Sequence, residues 1–351
     1  MSLRTTPIKV LIIDDSPTIR RLLKLVLAAD PDIRVVGEAE NPLEARELIK
    51  QADPDVLTLD VEMPKMDGLE FLRRLMRLRP MPVVMISTLT HKGSEAAFTA
   101  LELGAVDVFG KPQHAEISDW QGLVGMIKAA ACARVGQNSA VVPRNPPARH
   151  GTWREKIVAI GASTGGVDAL ENVLSRFPAN CPPTMIVQHM PELFLASLAT
   201  RLNAKYAPLI QLAEHGTSLL PGHVMIAPGG KNHLCVGQKH LNAELLETPK
   251  VSGHRPSVDV LFQSLVPRGC ETIAVLLTGM GRDGADGLKQ LRDKGAVTIA
   301  QDKDSCVVYG MPRAAIEADA AELVLPLNAI GDAILTQAAM PNSPRIAPAR
   351  H

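Results

Sequence analysis

Five side chains with complementary chemistry follow four short apolar runs in the first part of the chain. They are Asp14, Asp15, Asp60, Ser87 and Lys111. Three crowded carboxylates repel one another, and burial raises the free-energy cost of ionising them. A divalent cation with oxygen ligands relieves that repulsion, and Mg2+ keeps coordination positions open for phosphate oxygens. Because a lysine ammonium group suits a phosphoryl group, this set predicts metal-assisted acceptance of a phosphoryl group on an aspartate.

A second set of reactive side chains lies further along the chain and consists of Ser163, His189 and Asp283. Ser163 stands in the sequence Gly-Ala-Ser-Thr-Gly, which fits G-x-S-x-G between a predicted strand and a predicted helix. The flanking glycines permit a tight turn that lifts the hydroxyl above the sheet. His189 and Asp283 follow two other predicted strands, so we expect all three side chains at one sheet edge. A nucleophile, a base and an acid are the parts of a catalytic triad.

Each of these features has a simpler explanation when it is considered alone. Acidic residues before a helix, Asp283 included, commonly act only as caps. A glycine-rich turn such as the one around Ser163 can bind phosphate or merely allow close packing, and a histidine at a strand end is usually structural. Placement of a whole set at the carboxyl ends of strands is typical of ligand sites in open α/β sheets. The functional interpretation is therefore favoured for both sets.

Both sets require parallel sheets whose strands end at a common edge. The first part alternates predicted helices with five predicted strands, Lys9–Ile13, Ile33–Gly37, Asp55–Asp60, Val83–Ser87 and Val106–Phe109. The second part repeats the alternation with six predicted strands, Lys156–Ile160, Met185–Gln188, Val224–Ala227, Ile273–Thr278, Val297–Ala300 and Glu322–Leu325. Such alternation predicts the α/β class, with two doubly wound parallel-sheet domains.

The segment Gln137–Trp153 separates the two parts. It contains three prolines and two arginines but no acidic residue, and adjacent prolines cannot continue a helix. We predict a semi-rigid linker here, and a long surface loop within one domain is the alternative. The length of 351 residues agrees with about two domains.

Composition argues against several classes of protein. Lys+Arg and Asp+Glu are equal at 37 each, and aromatic residues make up only 3% of the chain. Neither charge nor stacking surface therefore favours a nucleic-acid partner. The five cysteines are dispersed without a C-x-x-C pair, which argues against a disulfide framework or a Cys-based zinc site. Because no apolar run reaches membrane-spanning length and no signal peptide is recognised, we expect a cytoplasmic protein that is not embedded in a membrane.

Residues 8–135 resemble the receiver domains of two-component response regulators. The similarity rests on Leu11–Ser16 (LIIDDS), Leu57–Gly68 (LTLDVEMPKMDG), Val83–Ser87 (VVMIS) and Phe109–Pro112 (FGKP). It implies a flavodoxin-like fold with strand order 2-1-3-4-5 and phosphorylation of Asp60 by a histidine kinase. It also implies a Mg2+ site and two phosphoryl contacts. The implied metal ligands are Asp14, Asp15, Asp60 and the backbone carbonyl of Glu62, and the implied phosphoryl contacts are Ser87 and Lys111.

Residues 154–340 resemble the catalytic domain of the chemotaxis protein-glutamate methylesterases, the CheB family. The matching segments are Ala159–Gly166 (AIGASTGG), Gln188–Pro191 (QHMP), His254–Phe262 (HRPSVDVLF), Leu276–Gly287 (LLTGMGRDGADG) and Ser305–Pro312 (SCVVYGMP). The chain order Ser, His, Asp fits this family and differs from the order in α/β-hydrolases.

The second resemblance implies a Rossmann-like α/β esterase with no cofactor in its catalytic site. It assigns Ser163 as nucleophile, His189 as base and Asp283 as the orienting acid. Four further residues are expected nearby, with Met280 and Thr164 as oxyanion donors and with His254, Arg255 and Met280 along the substrate cleft.

The two resemblances together imply a receiver in residues 1–136, a linker at 137–153, a methylesterase domain at 154–345 and a tail at 346–351. The implied function is phosphorylation-activated hydrolysis of glutamate methyl esters on chemotaxis receptors during adaptation, with glutamine deamidation as a secondary activity. The implied partners are a chemotaxis histidine kinase and methyl-accepting receptors, with the protein peripheral to the receptor array.

The sequence also disfavours two other classes of protein. A DNA-binding response regulator would need a compact, helical, basic output domain, which the strand–helix alternation of the second part does not favour. A catalytically silent scaffold is disfavoured because Ser163, His189 and Asp283 are all present.

Overall fold

The computed structural model describes residues 6–63, 67–88, 90–112, 120–133, 135, 153 and 156–339. The chain divides into two compact units, Met1–Ala140 and Val141–His351. Except for Trp153, the predicted linker at 137–153 lies outside the described residues, as does the predicted tail at 346–351. Each unit contains its own parallel sheet, so the predicted fold class is confirmed. Across the described ranges, no helix has the length and apolar character needed to cross a membrane.

A five-stranded parallel sheet forms the first unit, in the order β2-β1-β3-β4-β5 that the receiver resemblance implies. Its strands are β1 (Ile8–Ile13), β2 (Ile33–Ala39), β3 (Val56–Asp60), β4 (Val83–Thr88) and β5 (Asp107–Lys111). Its helices are α1 (Pro17–Ala28), α2 (Pro42–Ala52), α3 (Gly68–Leu78), α4 (His91–Glu102) and α5 (Gln121–Ala130). Every residue of β3 is buried, as expected for a central strand covered on both faces.

The start of helix α1 shows how local sequence positions the first pair of acids. Ser16 caps the helix by accepting a hydrogen bond from the N–H of Ile19, and Pro17 occupies the first helical position. Proline is favoured there because that N–H would have no partner within the helix. The Asp14 carboxylate accepts a hydrogen bond from the N–H of Ser16 at 2.9 Å. Because β1 pairs directly with β3, this turn lies beside Asp60.

The second unit has a seven-stranded parallel sheet in the order β14-β13-β12-β6-β7-β9-β8, and a separate antiparallel pair, β10-β11. The strands are β6 (Ile157–Ala162), β7 (Thr184–Gln188), β8 (Leu209–Leu212), β9 (His223–Ile226), β10 (His233–Val236), β11 (Ala243–Leu246), β12 (Thr272–Leu276), β13 (Val297–Gln301) and β14 (Leu323–Leu325). The helices are α6 (Gly166–Leu174), α7 (Glu192–Lys205), α8 (Val258–Ser264), α9 (Ala285–Asp293), α10 (Met311–Glu317) and α11 (Leu327–Ala339), with a 3-10 segment at Val266–Glu271.

All six strands predicted for this unit are present, but the prediction was incomplete. It lacked the strands β8, β10 and β11 and the helix α10. The three strands have four residues each, and α10 has seven. Segments of this length carry little hydrophobic periodicity, although the sequence did predict β9 and β14, which have four and three residues.

Strand β6 is the topological switch point of the larger sheet. It pairs with β7 on one side and with β12 on the other, and all six of its residues are buried. Ligands in open α/β sheets bind beyond the carboxyl ends of the strands at such a point. Ser163, His189 and Asp283 each follow one of these three strands, so the topology brings them to one place.

Candidate functional site

The acids of the first unit converge as predicted. One carboxylate oxygen from each of Asp14, Asp15 and Asp60 lies within 4.8 Å of the others. The ammonium group of Lys111 reaches the same place, and its Nζ lies 2.8 Å from Asp60 Oδ2 and 3.2 Å from Asp14 Oδ2. Ser87 is buried at the neighbouring strand end, where its hydroxyl donates to the backbone oxygen of Gly93 at 3.1 Å.

The crowding in this pocket has a clear electrostatic consequence. Burial and the nearby Asp14 carboxylate raise the pKa of Asp60 to about 6, although Lys111 acts in the opposite direction. Burial works against the charge of Lys111, but its hydrogen bond to Asp60 and its contacts with Asp14 outweigh burial, and its pKa is raised. Three oxygen donors around an under-neutralised centre suit a hard divalent cation. Glu62 follows two residues after Asp60, and its role as a carbonyl ligand stays a prediction.

The serine of the second unit lies in a turn that its neighbours hold closely. The N–H of Ser163 donates to the oxygen of Thr278 at 3.0 Å, and the N–H of Gly166 donates to the oxygen of Ser163 at 2.7 Å. Gly165 between them has a φ of 75°, a conformation that strongly favours glycine. A Cβ on Gly279 would lie 2.6 Å from the Cβ of Ser163, so glycine is required there for the backbone to approach the serine.

The histidine and the aspartate form a direct pair. His189 Nε2 lies 2.8 Å from Asp283 Oδ2, and the two side chains are 6% and 0% exposed. His189 Nδ1 is buried, and it has no hydrogen-bond partner among the described residues. With Nε2 bound to Asp283, Nδ1 is the ring nitrogen that remains available to another group. The backbone connects His189 to Ser163, because the N–H of His189 donates to the oxygen of Ala162, the residue before the serine, at 3.1 Å.

This pairing fixes the tautomer of the histidine. The carboxylate accepts a proton only from Nε2–H, so the neutral ring carries its lone pair on Nδ1. The acid is bound at Nε2 here, whereas in the serine-protease template Nδ1 faces the acid. Among the described residues the side chains of Ser163 and His189 are not hydrogen-bonded to each other, and such contacts often tighten only when substrate is bound.

Asp283 is surrounded by donors that sequence reasoning missed. Besides His189, its carboxylate accepts from the N–H of Val258 at 2.7 Å, the N–H of Asp259 at 3.1 Å and the hydroxyl of Ser257 at 2.7 Å. Burial alone would raise the pKa of Asp283, but the hydrogen bond and charge of His189 and the hydrogen bonds from Val258 and Ser257 lower it to about 2. The acid is therefore a fixed anion. The S-V-D sequence at the start of α8 is typical of a helix cap, but nothing in it pointed to a partner beyond that helix.

A further histidine holds this cap in place. The ring of His233 is fully buried. Its Nδ1 accepts from the N–H of Ser257 at 3.1 Å, and its Nε2 lies 3.0 Å from the oxygen of Pro249. A neutral ring with Nε2–H satisfies both contacts. His233 thus supports Ser257, which in turn holds Asp283.

Four residues that the sequence associates with the cleft have distinct surroundings. Within the described part of the chain, the backbone N–H groups of Thr164 and Met280 have no acceptor, and the Met280 residue is 39% exposed. The guanidinium group of Arg255 donates to the oxygens of Gly230 and Thr248, both at 2.9 Å. The ring of His254 stacks on that of His189.

Fold and geometry together define a class of protein. A receiver-like sheet with an acidic edge occurs in the same chain as a larger α/β sheet whose switch point carries a serine, a histidine and an aspartate. Comparisons with known proteins agree with this class. Residues 10–118 match the response regulator receiver domain, and residues 158–334 match the CheB methylesterase domain.

Individual relatives match almost the whole chain. A protein-glutamate methylesterase/protein-glutamine glutaminase of Rhizobium johnstonii is 51% identical over 339 residues, which cover 95% of this chain and 98% of the relative. A protein of the same name from Agrobacterium fabrum is 50% identical over 335 residues, which cover 93% of this chain and 95% of the relative. The crystal structure of the Thermotoga maritima CheB methylesterase catalytic domain is 39% identical, with a TM-score of 0.50, covering 52% of this chain and 97% of that one. The chain belongs to the CheB methylesterase family, with a receiver domain preceding the methylesterase domain.

Proposed function

We propose that this chain is a phosphorylation-activated protein-glutamate methylesterase that hydrolyses glutamate methyl esters on chemotaxis receptors and, secondarily, deamidates glutamine. The observation that carries this proposal is the arrangement at the switch point of the larger sheet. Ser163 lies in a glycine-bounded turn beside His189. The Nε2 of His189 is hydrogen-bonded to Asp283 at 2.8 Å, and the Asp283 carboxylate accepts four hydrogen bonds in all. This arrangement provides a nucleophile, a base and a fixed anion.

In the proposed reaction, Nδ1 of His189 accepts the hydroxyl proton while Ser163 Oγ forms a bond to the ester carbonyl carbon. The developing oxyanion is stabilised by the N–H groups of Met280 and Thr164, which have no acceptor within the described residues. The C–O bond then breaks, and methanol leaves with the proton from His189. Asp283 stabilises the imidazolium ion without taking its proton.

Hydrolysis of the acyl-enzyme repeats these steps with water. Nδ1 of His189 takes a proton from the water, whose oxygen attacks the acyl carbon, and Ser163 leaves with that proton, which frees the glutamate side chain. A primary amide passes through an analogous tetrahedral intermediate, but its nitrogen must be protonated before it can leave as ammonia. Glutamine deamidation is therefore the secondary activity. His254 and Arg255 complete the proposed cleft on the side of α8.

The receiver half is proposed to control this activity. Asp60 accepts the phosphoryl group from a chemotaxis histidine kinase. Asp14, Asp15, Asp60 and the backbone carbonyl of Glu62 would hold Mg2+, which would neutralise the charge at this site. Lys111 and Ser87 then contact the phosphoryl oxygens. Phosphorylation replaces the single charge of the Asp60 carboxylate with a phosphoryl group of about −1.5 to −2 and biases the receiver to another state. A typical allosteric coupling corresponds to about 5- to 150-fold activation.

The proposed organisation assigns residues 1–136 to the receiver, 137–153 to the linker, 154–345 to the esterase and 346–351 to a tail. Methyl-accepting receptors are the proposed substrate, so the enzyme acts in the cytoplasm at the periphery of the receptor array. No cofactor is assigned to the esterase site, and no nucleic acid is expected as a partner.

The decisive experiment compares methanol release from methylated receptor membranes by wild type and Ser163→Ala. Loss of the nucleophile is expected to lower kcat by about 10^3-fold or more. Ser197→Ala is the matched control, because Ser197 lies on α7, where its hydroxyl donates to the oxygen of Leu193, and it should release methanol at the wild-type rate. Equal release by Ser163→Ala and wild type would remove Ser163 as the nucleophile.

The regulatory half has a separate test. Incubation with a small acyl phosphate and Mg2+ should phosphorylate wild type and raise its esterase rate, whereas Asp60→Asn should do neither. Asp53→Asn is the control, since Asp53 is an exposed residue just before β3, at the opposite end of that strand from Asp60. Phosphate incorporation into Asp60→Asn at the wild-type level would contradict the assignment.

A further inference from the structure

The base of the proposed triad is covered by a second imidazole. The rings of His189 and His254 are stacked with their centroids 3.8 Å apart and their planes within 1° of parallel. His254 makes this contact with the face of the ring, so both nitrogens of His189 stay free for other partners. The Nε2 of His189 meets Asp283, and its Nδ1 is the buried nitrogen without a partner among the described residues.

The backbone presents His254 rigidly. Val251 and His254 exchange two backbone hydrogen bonds, of 3.0 and 2.9 Å. Ser252 and Gly253 between them have φ values of 52° and 82°, which is the conformation of a type I′ hairpin turn. The next residue, Arg255, is held in place because its guanidinium group donates to the oxygens of Gly230 and Thr248. The ring of His254 is therefore carried by a closed turn and not by a free loop.

The electrostatic surroundings keep His254 uncharged. Burial, His189 and Lys250 lower its pKa to about 4, and Asp283 opposes them only in part. Because the His254 ring is neutral, it does not repel the imidazolium ion that forms on His189 during proton transfer. Its π face also attracts a cation placed above it.

A geometric argument shows what the stack adds. The hydrogen bond to Asp283 fixes one atom of the His189 ring, and a single hydrogen bond leaves the ring free to rotate about that contact. The plane of the ring decides whether the Nδ1 lone pair points at Ser163 or away from it. A flat partner at 3.8 Å restrains that plane.

We infer that His254 is a positioning residue, which acts through His189 by restraining its ring plane so that Nδ1 faces Ser163 during both proton transfers. This inference rests on the proposed function of the Ser163 site. Misplacement of a reacting group by about 1 Å can lower a rate by about 10^2-fold. The role requires a flat ring at position 254 and does not require its nitrogen atoms.

The test compares His254→Phe, which keeps a flat ring, with His254→Leu, which fills similar space without one, and with His254→Ala. The Leu and Ala variants are expected to lower kcat for methanol release by about 10- to 100-fold, with a smaller change in KM that comes from the altered lining of the cleft. The Phe variant should restore most of the lost kcat. His240→Ala is the control, since this exposed histidine should behave as wild type.

A second measurement separates positioning from loss of structure. In a His189→Ala background, adding His254→Ala should not lower the residual rate further, because the residue through which it acts is gone. Equal activity of the Leu and Phe variants, or a further loss in the double variant, overturns the inference. Should the Ala variant fail to fold, the Leu and Phe pair decides the question. These results leave the Ser163→Ala test unaffected, so failure of the inference and failure of the proposed function are distinguishable.

Discussion

Each of the two units buries an aspartate at the carboxyl edge of its parallel sheet, and the pKa values of the two aspartates are shifted in opposite directions. Burial and Asp14 raise the pKa of Asp60 to about 6. Asp283 is equally buried, but its hydrogen bonds with His189 and α8 more than offset burial and lower its pKa to about 2. The difference lies in the neighbours. Asp60 has two carboxylates and one lysine beside it, whereas Asp283 accepts four hydrogen bonds.

The comparison teaches what each carboxylate is prepared to do. Asp283 already has every partner that stabilises its charge, so it is suited to hold a histidine in one orientation through a whole catalytic cycle. Asp60 is left with excess negative charge around it, and a cation would complete its surroundings. A carboxylate that must react has to remain accessible to new partners, while one that only orients does not.

The largest expected effect is on catalysis at the fixed acid. Asp283→Asn replaces an acceptor with an amide whose NH2 group faces the N–H donors of α8, and it no longer selects the Nε2–H tautomer of His189. We expect kcat for methanol release to fall by about 10^4-fold. Asp286→Asn is the matched control, because Asp286 is an exposed residue in the first turn of α9, where it pairs with Arg282 and makes no hydrogen bond to the triad among the described residues. A fall below about tenfold would show that Asp283 acts merely as a cap.

The second effect concerns the pocket around Asp60. Asp14→Asn removes one of the three converging carboxylates and should weaken Mg2+ binding by about 10- to 100-fold, measured by calorimetry on the full chain. Asp53→Asn, outside the pocket, should bind Mg2+ as wild type does. Addition of Mg2+ should stabilise the first unit and leave unfolding of the second unit unchanged. Stabilisation of both units alike would contradict a Mg2+ site confined to the first unit.

Sequence reasoning located both sets of side chains but not what distinguishes them. The positions of Asp14, Asp60 and Ser163 follow from strand ends, and strand order in such sheets is limited by right-handed crossovers. The donors to Asp283 come from Ser257 and Val258, which lie 26 and 25 residues away. No local pattern reports such a contact. The stacking of His254 on His189 is likewise a tertiary contact, and no periodic pattern in the sequence indicates it.

The third effect is a pair of opposite stability changes. The pKa of Asp60 is near 6 in the folded state and near 3.9 in the unfolded state. Its contribution to the free energy of unfolding is therefore fully present below about pH 4 and is lost as pH rises through 6. Asp283, with a pKa near 2 when folded, contributes stability above about pH 4 that is lost as pH falls towards 2. At pH 7 with a chelator, Asp60→Asn should therefore stabilise its unit and Asp283→Asn should destabilise its unit, each by about 1–3 kcal/mol.

Two tryptophans allow the units to be followed separately by urea unfolding. Trp120 is buried against Phe109 in the first unit, and Trp153 donates its indole N–H to the oxygen of Asn180 in the second. The chain contains only these two tryptophans, so Trp153→Phe and Trp120→Phe backgrounds each report on one unit. If both carboxamide variants shifted stability in the same direction, the contrast between the two aspartates would be wrong.

The smallest expected effect is at Asp259. Its pKa is raised as that of Asp60 is, although it lies in the same unit as Asp283. Its backbone N–H supports Asp283, while its own buried carboxylate accepts from the N–H of Gly287 at 2.7 Å. Burial, with the nearby Asp283 charge, raises its pKa to about 6 although that hydrogen bond opposes the change, so its ionisation lowers stability as pH rises from about 4 to 6. Asp259→Asn keeps the backbone donor and an acceptor for Gly287. It should flatten this pH dependence and stabilise the second unit by about 1 kcal/mol at pH 7, with kcat within about threefold of wild type. A loss of kcat as large as that of Asp283→Asn would mean that the charge of Asp259 also takes part in holding the triad.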